Sequence, residues 1–231
     1  MNYLIHAYEP RLWYVNEFLI PSMIDQGIKR EDINVFTDDG SLGNLKAAMD
    51  SFRNLSDSDG STWHLQDDIC ICSDFAKVTK NYENEYAIVC GYCYCRDTYS
   101  IIRKGGEVGA KDMWHSFPCI MIPNKIAIEC SEWFYSDAMY RPEFKEWVDE
   151  NKYDDAFFKK FIEENYHRLG VKIINYIPNL VDHIDYLIGG STVNKEREKW
   201  YKQSRAAWFS DRCLVDKLAV RLEERKMEVK Q

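Results

Sequence analysis

Apolar and polar residues follow two rhythms along the chain, and the switch between them predicts an α/β layout. Tyr3 to Ala7 is a short apolar run closed by Glu9-Pro10, which reads as a buried first strand. Leu12 to Gln26 then places Leu12, Val15, Phe18, Leu19 and Met23 on one helical face, with Gly27 as the stop. Ile33 to Thr37 predicts a second strand, ending in Asp38-Asp39-Gly40. A helix follows from Asn44 to Phe52, with Leu45, Ala48, Met49 and Phe52 inward. This β-α-β-α alternation predicts a parallel sheet with covering helices.

Asn54 to Ser61 is a polar loop. Its Asp57-x-Asp59 opening lacks the glycine placement and the following helix of a calcium loop. Thr62 to Leu65 is the next strand and delivers Gln66-Asp67-Asp68 at its end. Ile69 to Cys72 continues apolar, Asp74 to Thr79 starts a helix, and Glu85 to Cys95 alternates as a strong strand. Arg103 to Asp112 is glycine-rich, charged and without period, as expected of a mobile loop. Ser116 to Pro123 and Lys125 to Ile128 predict two strands around a turn at Pro123-Asn124. Glu132 to His167 is helical in pieces, with Trp147, Phe157, Phe158, Phe161 and Ile162 inward, and Val171 to Ile177 is a final strand. Ser210 caps a last amphipathic helix carrying Leu214, Leu218 and Leu222. Neither a repeat nor a break in composition divides the chain, so a single domain is expected.

Composition narrows the function classes. Hydrophobic residues at 45% and charged residues at 29% of 231 are globular usage. The formal net charge of -8 disfavours sequence-independent binding to nucleic acid. The start MNYLIHAYEPRLWYV has no basic region or small-residue cleavage site, and the apolar runs fall short of a membrane span. A soluble, cytoplasmic protein is the expectation. Cys90-x-x-Cys93-x-Cys95 with Cys70-x-Cys72 invites a zinc reading, yet no paired Cys-x-x-Cys knuckles recur. Reduced thiols that pack as small hydrophobes are the expectation for the 8 cysteines.

The chemistry gathers after the mid-chain strand. Ligands of parallel α/β sheets bind outside the carboxyl ends of the strands. Gln66-Asp67-Asp68 lies at such an end, and adjacent carboxylates there suit a hard divalent ion shared with phosphate oxygens. Taken alone, an Asp-Asp pair is equally a solvated turn. His183 after an apolar run, and Asp154-Asp155 before an aromatic cluster, likewise have bland readings, as a packed histidine and as a helix start.

Together these segments resemble the GT-A glycosyltransferases. His64-Leu65-Gln66-Asp67-Asp68-Ile69 looks like that family's acid-Asp-Asp motif flanked by apolar residues, with Gln66 in place of the first acid. Ile177-Pro178-Asn179-Leu180-Val181-Asp182-His183 looks like its Pro-Ser-Leu-Val-x-His segment, and Tyr153-Asp154-Asp155-Ala156-Phe157-Phe158 like its acidic helix start beside the acceptor. The resemblance implies a Rossmann-type, mixed and mainly parallel sheet with flanking helices. It assigns residues 1–95 to a nucleotide-binding half, 96–192 to an acceptor and catalytic half, and 193–231 to a charged helical tail. It implies Asp68 and His183 as ligands of Mn²⁺ or Mg²⁺, and Asp154 or Asp155 as general base. His6, Ala7, Tyr8, Arg11, Asp38, Asp39, Asn44, Lys46, Gln66, Asp67, Gly190 and Ser191 are implied around the nucleotide-sugar. The implied reaction moves a sugar from a UDP-sugar to a hydroxyl of a glycan, protein or small molecule, a modified nucleobase being disfavoured by the acidic charge. In-line attack implies inversion, although retaining members share the metal motif. A nucleotidyltransferase and a degenerate, binding-only module stay open as alternatives.

Overall fold

The computed structural model describes residues 1–55, 59–92, 117–138, 141–142, 145–146, 154–176, 179–188 and 215–228. The strands are β1 (Asn2–Tyr8), β2 (Ile33–Asp38), β3 (Ser61–Gln66), β4 (Ile69–Ile71), β5 (Ala87–Cys90), β6 (Cys119–Pro123), β7 (Lys172–Asn175) and β8 (Val181–His183). Six of them form one sheet in the order β2-β1-β3-β6-β5-β7, and β4 pairs with β8 in a separate ribbon. Strand β6 runs antiparallel to both of its neighbours, and the other pairs in the large sheet are parallel. The architecture is a mixed, mainly parallel sheet in a single domain, as the resemblance implies.

Helix α1 begins at Leu12–Tyr14, widens to a π-type turn over Val15–Leu19 and continues as Ile20–Asp25. The wide turn precedes Pro21, whose ring and missing N–H disrupt an unbroken α ladder. The other helices are α2 (Asn44–Arg53), α3 (Phe75–Lys80), α4 (Asn124–Trp133), α5 (Asp154–Leu169), α6 (Asp185–Ile188) and α7 (Val215–Glu228).

Strand side chains alternate between two cores, one on each face of the sheet. Ile5, Trp63, Leu65, Val89 and Met121 join α1, α3 and Leu218 and Leu222 of α7. Ile88, Cys90, Ile120 and Ile122 join α2, α4 and the Phe157, Phe158 and Phe161 face of α5. Arg225 fastens α7 to α1, with Nε on Glu17 at 2.6 Å and its guanidinium 4.1 Å from the Trp13 ring centroid.

Three expectations change. The predicted strand Lys125 to Ile128 is the first turn of α4. Its alternation is also helical, because Ile126, Ala127 and Cys130 are buried together, and Asn124 is anchored by Thr62 Oγ1 donating to its Oδ1 at 2.7 Å. The strand read over Glu85 to Cys95 spans Ala87–Cys90 among the described residues, with Gly91 N–H donating to Cys119 O at 2.9 Å in the same register; positions 93–95 lie outside the described residues. Val171 to Ile177 is not the final strand: it shortens to β7 and is followed by β8, which pairs with Ile69–Ile71 once the chain has turned at Asp67-Asp68. The loop read at Arg103 to Asp112, Trp147, and Ser210 with Leu214 lie outside the described residues. Cys70, Cys72, Cys90, Cys119 and Cys130 are buried, and burial pushes the Cys119 and Cys130 thiols up. No helix among the described residues is long and apolar enough to cross a membrane.

Candidate active site

Strands β1 and β3 pair in parallel, with His6 opposite Gln66, so their carboxyl ends open side by side. That register brings the turn after β1 onto the turn after β3. Tyr8 N–H donates to Asp67 Oδ2 at 2.7 Å. The 3-10 turn Glu9–Arg11, started by Pro10, carries Arg11 inward. Arg11 Nη1 donates to Asp67 Oδ1 and to Asp68 Oδ2, both at 2.8 Å. All three of these side chains are buried.

The β4–β8 ribbon supplies the opposite wall. Ile69 stands opposite His183, and the ladder is prolonged by Cys72 N–H to Leu180 O (2.9 Å) and Ile184 N–H to Asp68 O (2.7 Å). Leu180 N–H also donates to Gly91 O at 2.7 Å. Only glycine fits at 91: a Cβ there would lie 2.7 Å from Cys119 Sγ and 3.2 Å from the Trp63 ring. The result is a His183 Nε2 that lies 3.2 Å from Asp68 Oδ1. Its Nδ1 lies 3.5 Å from Asp185 Oδ1, which places that carboxylate behind the ring. Sequence reading passed over Asp185; the His183-Ile184-Asp185 spacing at a helix start was the available signal.

Charge is unevenly divided in this cluster. Burial and the neighbouring Asp68 push Asp67 up to about 6, against the pull of Arg11. Burial also works against charge on Asp68, but His183 and Arg11 overcome it and hold that carboxyl well below the usual range. Arg11 is raised: burial disfavours its charge, and the two acids more than offset this.

Asp68 Oδ1 and His183 Nε2 are a hard oxygen and an imidazole nitrogen, the donor types that suit Mn²⁺. Their 3.2 Å separation is near the ~3.0 Å between adjacent ligands of an octahedral ion with bonds of about 2.1 Å. Asp68 Oδ1 is buried, and the contact it makes with His183 Nε2 falls short of a hydrogen bond. The residues therefore fit a divalent ion. No group of three or more His, Cys, Asp or Glu side chains forms a full cage among the described residues, so water or phosphate oxygens would complete the shell.

Asp154 opens α5 and is buried, and its Oδ2 accepts a hydrogen bond from Gln66 Nε2 at 3.2 Å. Burial first, and then the adjacent Asp155, push Asp154 up to about 7. Its Oδ1 accepts the Asp155 N–H at 2.9 Å, while Asp155 Oδ1 accepts the Ala156 N–H at 2.7 Å. A residue 88 positions away in sequence is thus tied to the acid-bearing turn.

The other implied residues lie as follows. Ala7 is buried in β1. His6 is partly buried beside Phe36, and burial lowers its pKa against the influence of Asp38 and Asp68. Asp38 is buried and accepts Gly40 N–H at 2.9 Å; exposed Asp39 accepts Ser41 N–H at 2.8 Å. Asn44 is exposed at the start of α2, and Lys46 pairs with Asp50 at 3.1 Å. Gly190 and Ser191 lie outside the described residues. The Tyr8 ring leans on Gly40, where φ is +85° and an added Cβ would lie 2.8 Å from Cε2. Gly40→Ala is expected to lower stability by about 1–2 kcal/mol in a denaturant melt, from left-handed strain and the displaced ring.

No protein-family model matches the chain, and no curated protein matches it in sequence. Among solved structures the chain is similar to a mutant Drosophila β-1,4-galactosyltransferase 7 in complex with manganese, UDP-Gal and xylobiose. The two are 11% identical over 86% of this chain and 79% of that one, with a TM-score of 0.42.

Proposed function

We propose that this protein is a divalent-metal-dependent glycosyltransferase that moves a sugar from a UDP-sugar to an acceptor hydroxyl, with inversion. One observation carries the reading. A buried carboxyl raised to about 7 is hydrogen-bonded to the same strand end that bears an Asp facing a His. The two groups have the environments that a proton acceptor and an ion ligand require.

In this reading residues 1–95 hold the donor and residues 96–192 the acceptor. Asp68 Oδ1 and His183 Nε2 would hold the ion, with the Asp185 carboxylate behind the imidazole. When bound, the ion would neutralise charge developing on the departing diphosphate. Asp67 anchors the turn after β1 through Tyr8 N–H, which fixes the edge where His6, Ala7 and Tyr8 border the nucleotide. Asp154 Oδ2 accepts the proton of the acceptor hydroxyl as its oxygen attacks the anomeric carbon opposite the leaving group. A base with a pKa near the working pH is suited to this task. Asp154 is buried and bonded to Gln66 whereas Asp155 is half-buried, so the base is assigned to Asp154.

Gln66 takes a definite part here. An amide donor at this position stabilises the ionised form of Asp154, whereas an acid would repel it. Gln66→Glu is expected to move the acidic limb of kcat/KM upward by about one pH unit. An unmoved limb in the pH profile would separate Gln66 from the base. The primary test is release of UDP from a panel of UDP-sugars with Mn²⁺, with and without candidate acceptors. Release of UDP supports transfer of a sugar, pyrophosphate would mark nucleotidyl transfer, and no turnover of any donor would leave a binding module.

A further inference from the structure

Arg11 is not positioned as a surface arginine awaiting a phosphate. It is 6% exposed, and a single nitrogen, Nη1, bridges Asp67 and Asp68 at 2.8 Å each. Two adjacent carboxylates out of water repel each other unless a cation joins them. The bridge also sets the geometry of the neighbouring pair. With Oδ2 of Asp68 on Arg11, Oδ1 is the oxygen left facing His183.

We propose that Arg11 is the resident counter-cation of the Asp67–Asp68 pair, and that it makes divalent-ion binding at Asp68 and His183 conditional on a nucleoside diphosphate. The proposal rests on the ion site described under the proposed function.

The physical reason is charge. An ion on Asp68 Oδ1 shares a carboxylate with the guanidinium and therefore sits only a few ångströms from it. Repulsion between a double and a single positive charge at that range, even at an effective dielectric of about 20, weakens binding by more than about tenfold. The oxygens of a diphosphate would add negative charge beside the ion and offset that repulsion. Ion and nucleotide then strengthen each other's binding, and by linkage the factor is the same in both directions. Arg11 also keeps the acids neutralised while the site is empty, so the fold does not depend on metal.

The test measures Mn²⁺ affinity by electron paramagnetic resonance of the free ion, with and without UDP, for wild type, Arg11→Gln and Arg11→Lys. Melting temperatures with and without Mn²⁺ are recorded alongside. Wild type is expected to bind Mn²⁺ at least about tenfold more tightly with UDP than without it. Arg11→Gln is expected to bind Mn²⁺ alone about tenfold or more tightly than wild type does, and to gain more melting temperature from Mn²⁺ alone. Arg11→Lys, which keeps the charge, is expected to follow wild type. Should Arg11→Gln unfold without metal, refolding by Mn²⁺ alone supports the proposal and failure to refold counts against it. An Arg11→Gln protein with wild-type affinity for Mn²⁺ alone overturns the proposal while leaving the ion site standing. A wild type that binds no Mn²⁺, with UDP or without, overturns both.

Discussion

Asp154→Asn is expected to fold, bind the UDP-sugar with near wild-type affinity, and turn it over about 10²–10⁴-fold more slowly. Asparagine keeps the side-chain oxygen that accepts Asp155 N–H, so the helix start survives, but it cannot take the acceptor's proton. Asp155→Asn, at a half-buried position whose side-chain oxygen still accepts the Ala156 N–H, is expected to stay within a few-fold of wild type. Turnover and donor affinity on both variants decide the assignment; a fully active Asp154→Asn would end the role of Asp154 as base. Two pH dependences accompany this result. The base must be ionised to act, so kcat/KM falls about tenfold per pH unit below about 7. Stability runs the opposite way. The folded-state pKa of about 7 lies above the reference value of 3.8, so the native state holds a proton that the unfolded chain releases between them. Stability therefore declines as pH rises through that window. Asp154→Asn is expected to melt above wild type at pH 8, with the gap closing toward pH 4.

Asp68→Ala is expected to weaken Mn²⁺-dependent UDP binding by about a hundredfold or more, the equivalent of roughly 3 kcal/mol. It removes one of the two side chains placed to hold the ion. It also leaves Arg11 and His183 facing a gap, and a buried charge stripped of a partner destabilises a fold. Asp68→Asn serves as the control, because its amide oxygen can still accept from Arg11 while its charge is gone. Both variants are expected to lose the Mn²⁺ effect on UDP affinity measured by calorimetry. Asp67→Asn is expected to lose less, because Asp67 is tied to Tyr8 N–H and Arg11 rather than to His183. Wild-type affinity in Asp68→Ala with Mn²⁺ present would remove Asp68 from the ion site.

Local pattern determined a good deal of this protein. The apolar run of β1, the 3.6-residue period of α2, and Asp154 at the head of an aromatic-faced helix are all written in neighbouring residues. Elements packed against a sheet leave that periodic trace because each must hide one face. The acid pair at the end of β3 was legible for the same reason: a polar cluster that closes an apolar strand of a parallel sheet opens at its carboxyl edge. Short segments were ambiguous. Lys125 to Ile128 satisfies both periods over four residues, and only the anchoring of Asn124 to Thr62 and Gly60 selects the helix. The ribbon of β4 and β8, three residues in each strand, lies below the length at which a period can be read.

Contacts between distant segments were decided by the tertiary structure alone. Arg11 lies 56 positions from Asp67, and Gln66 lies 88 from Asp154. The resemblance implied Arg11 only as one of the residues around the nucleotide-sugar, because an arginine beside a strand end is read as exposed until a partner for it is known. It is buried because the parallel register of β1 and β3 lays its turn against two acids that require a cation. Gln66 replaces an acid in the resembled motif and appeared only as a departure from it. Its role beside Asp154 appears once α5 packs against the end of β3 and burial makes each unpaired charge costly. Sequence determined which groups stand at the edge of the sheet. Folding determined which of them share a charge, because that depends on distance and desolvation, and neither is a property of neighbours in the chain.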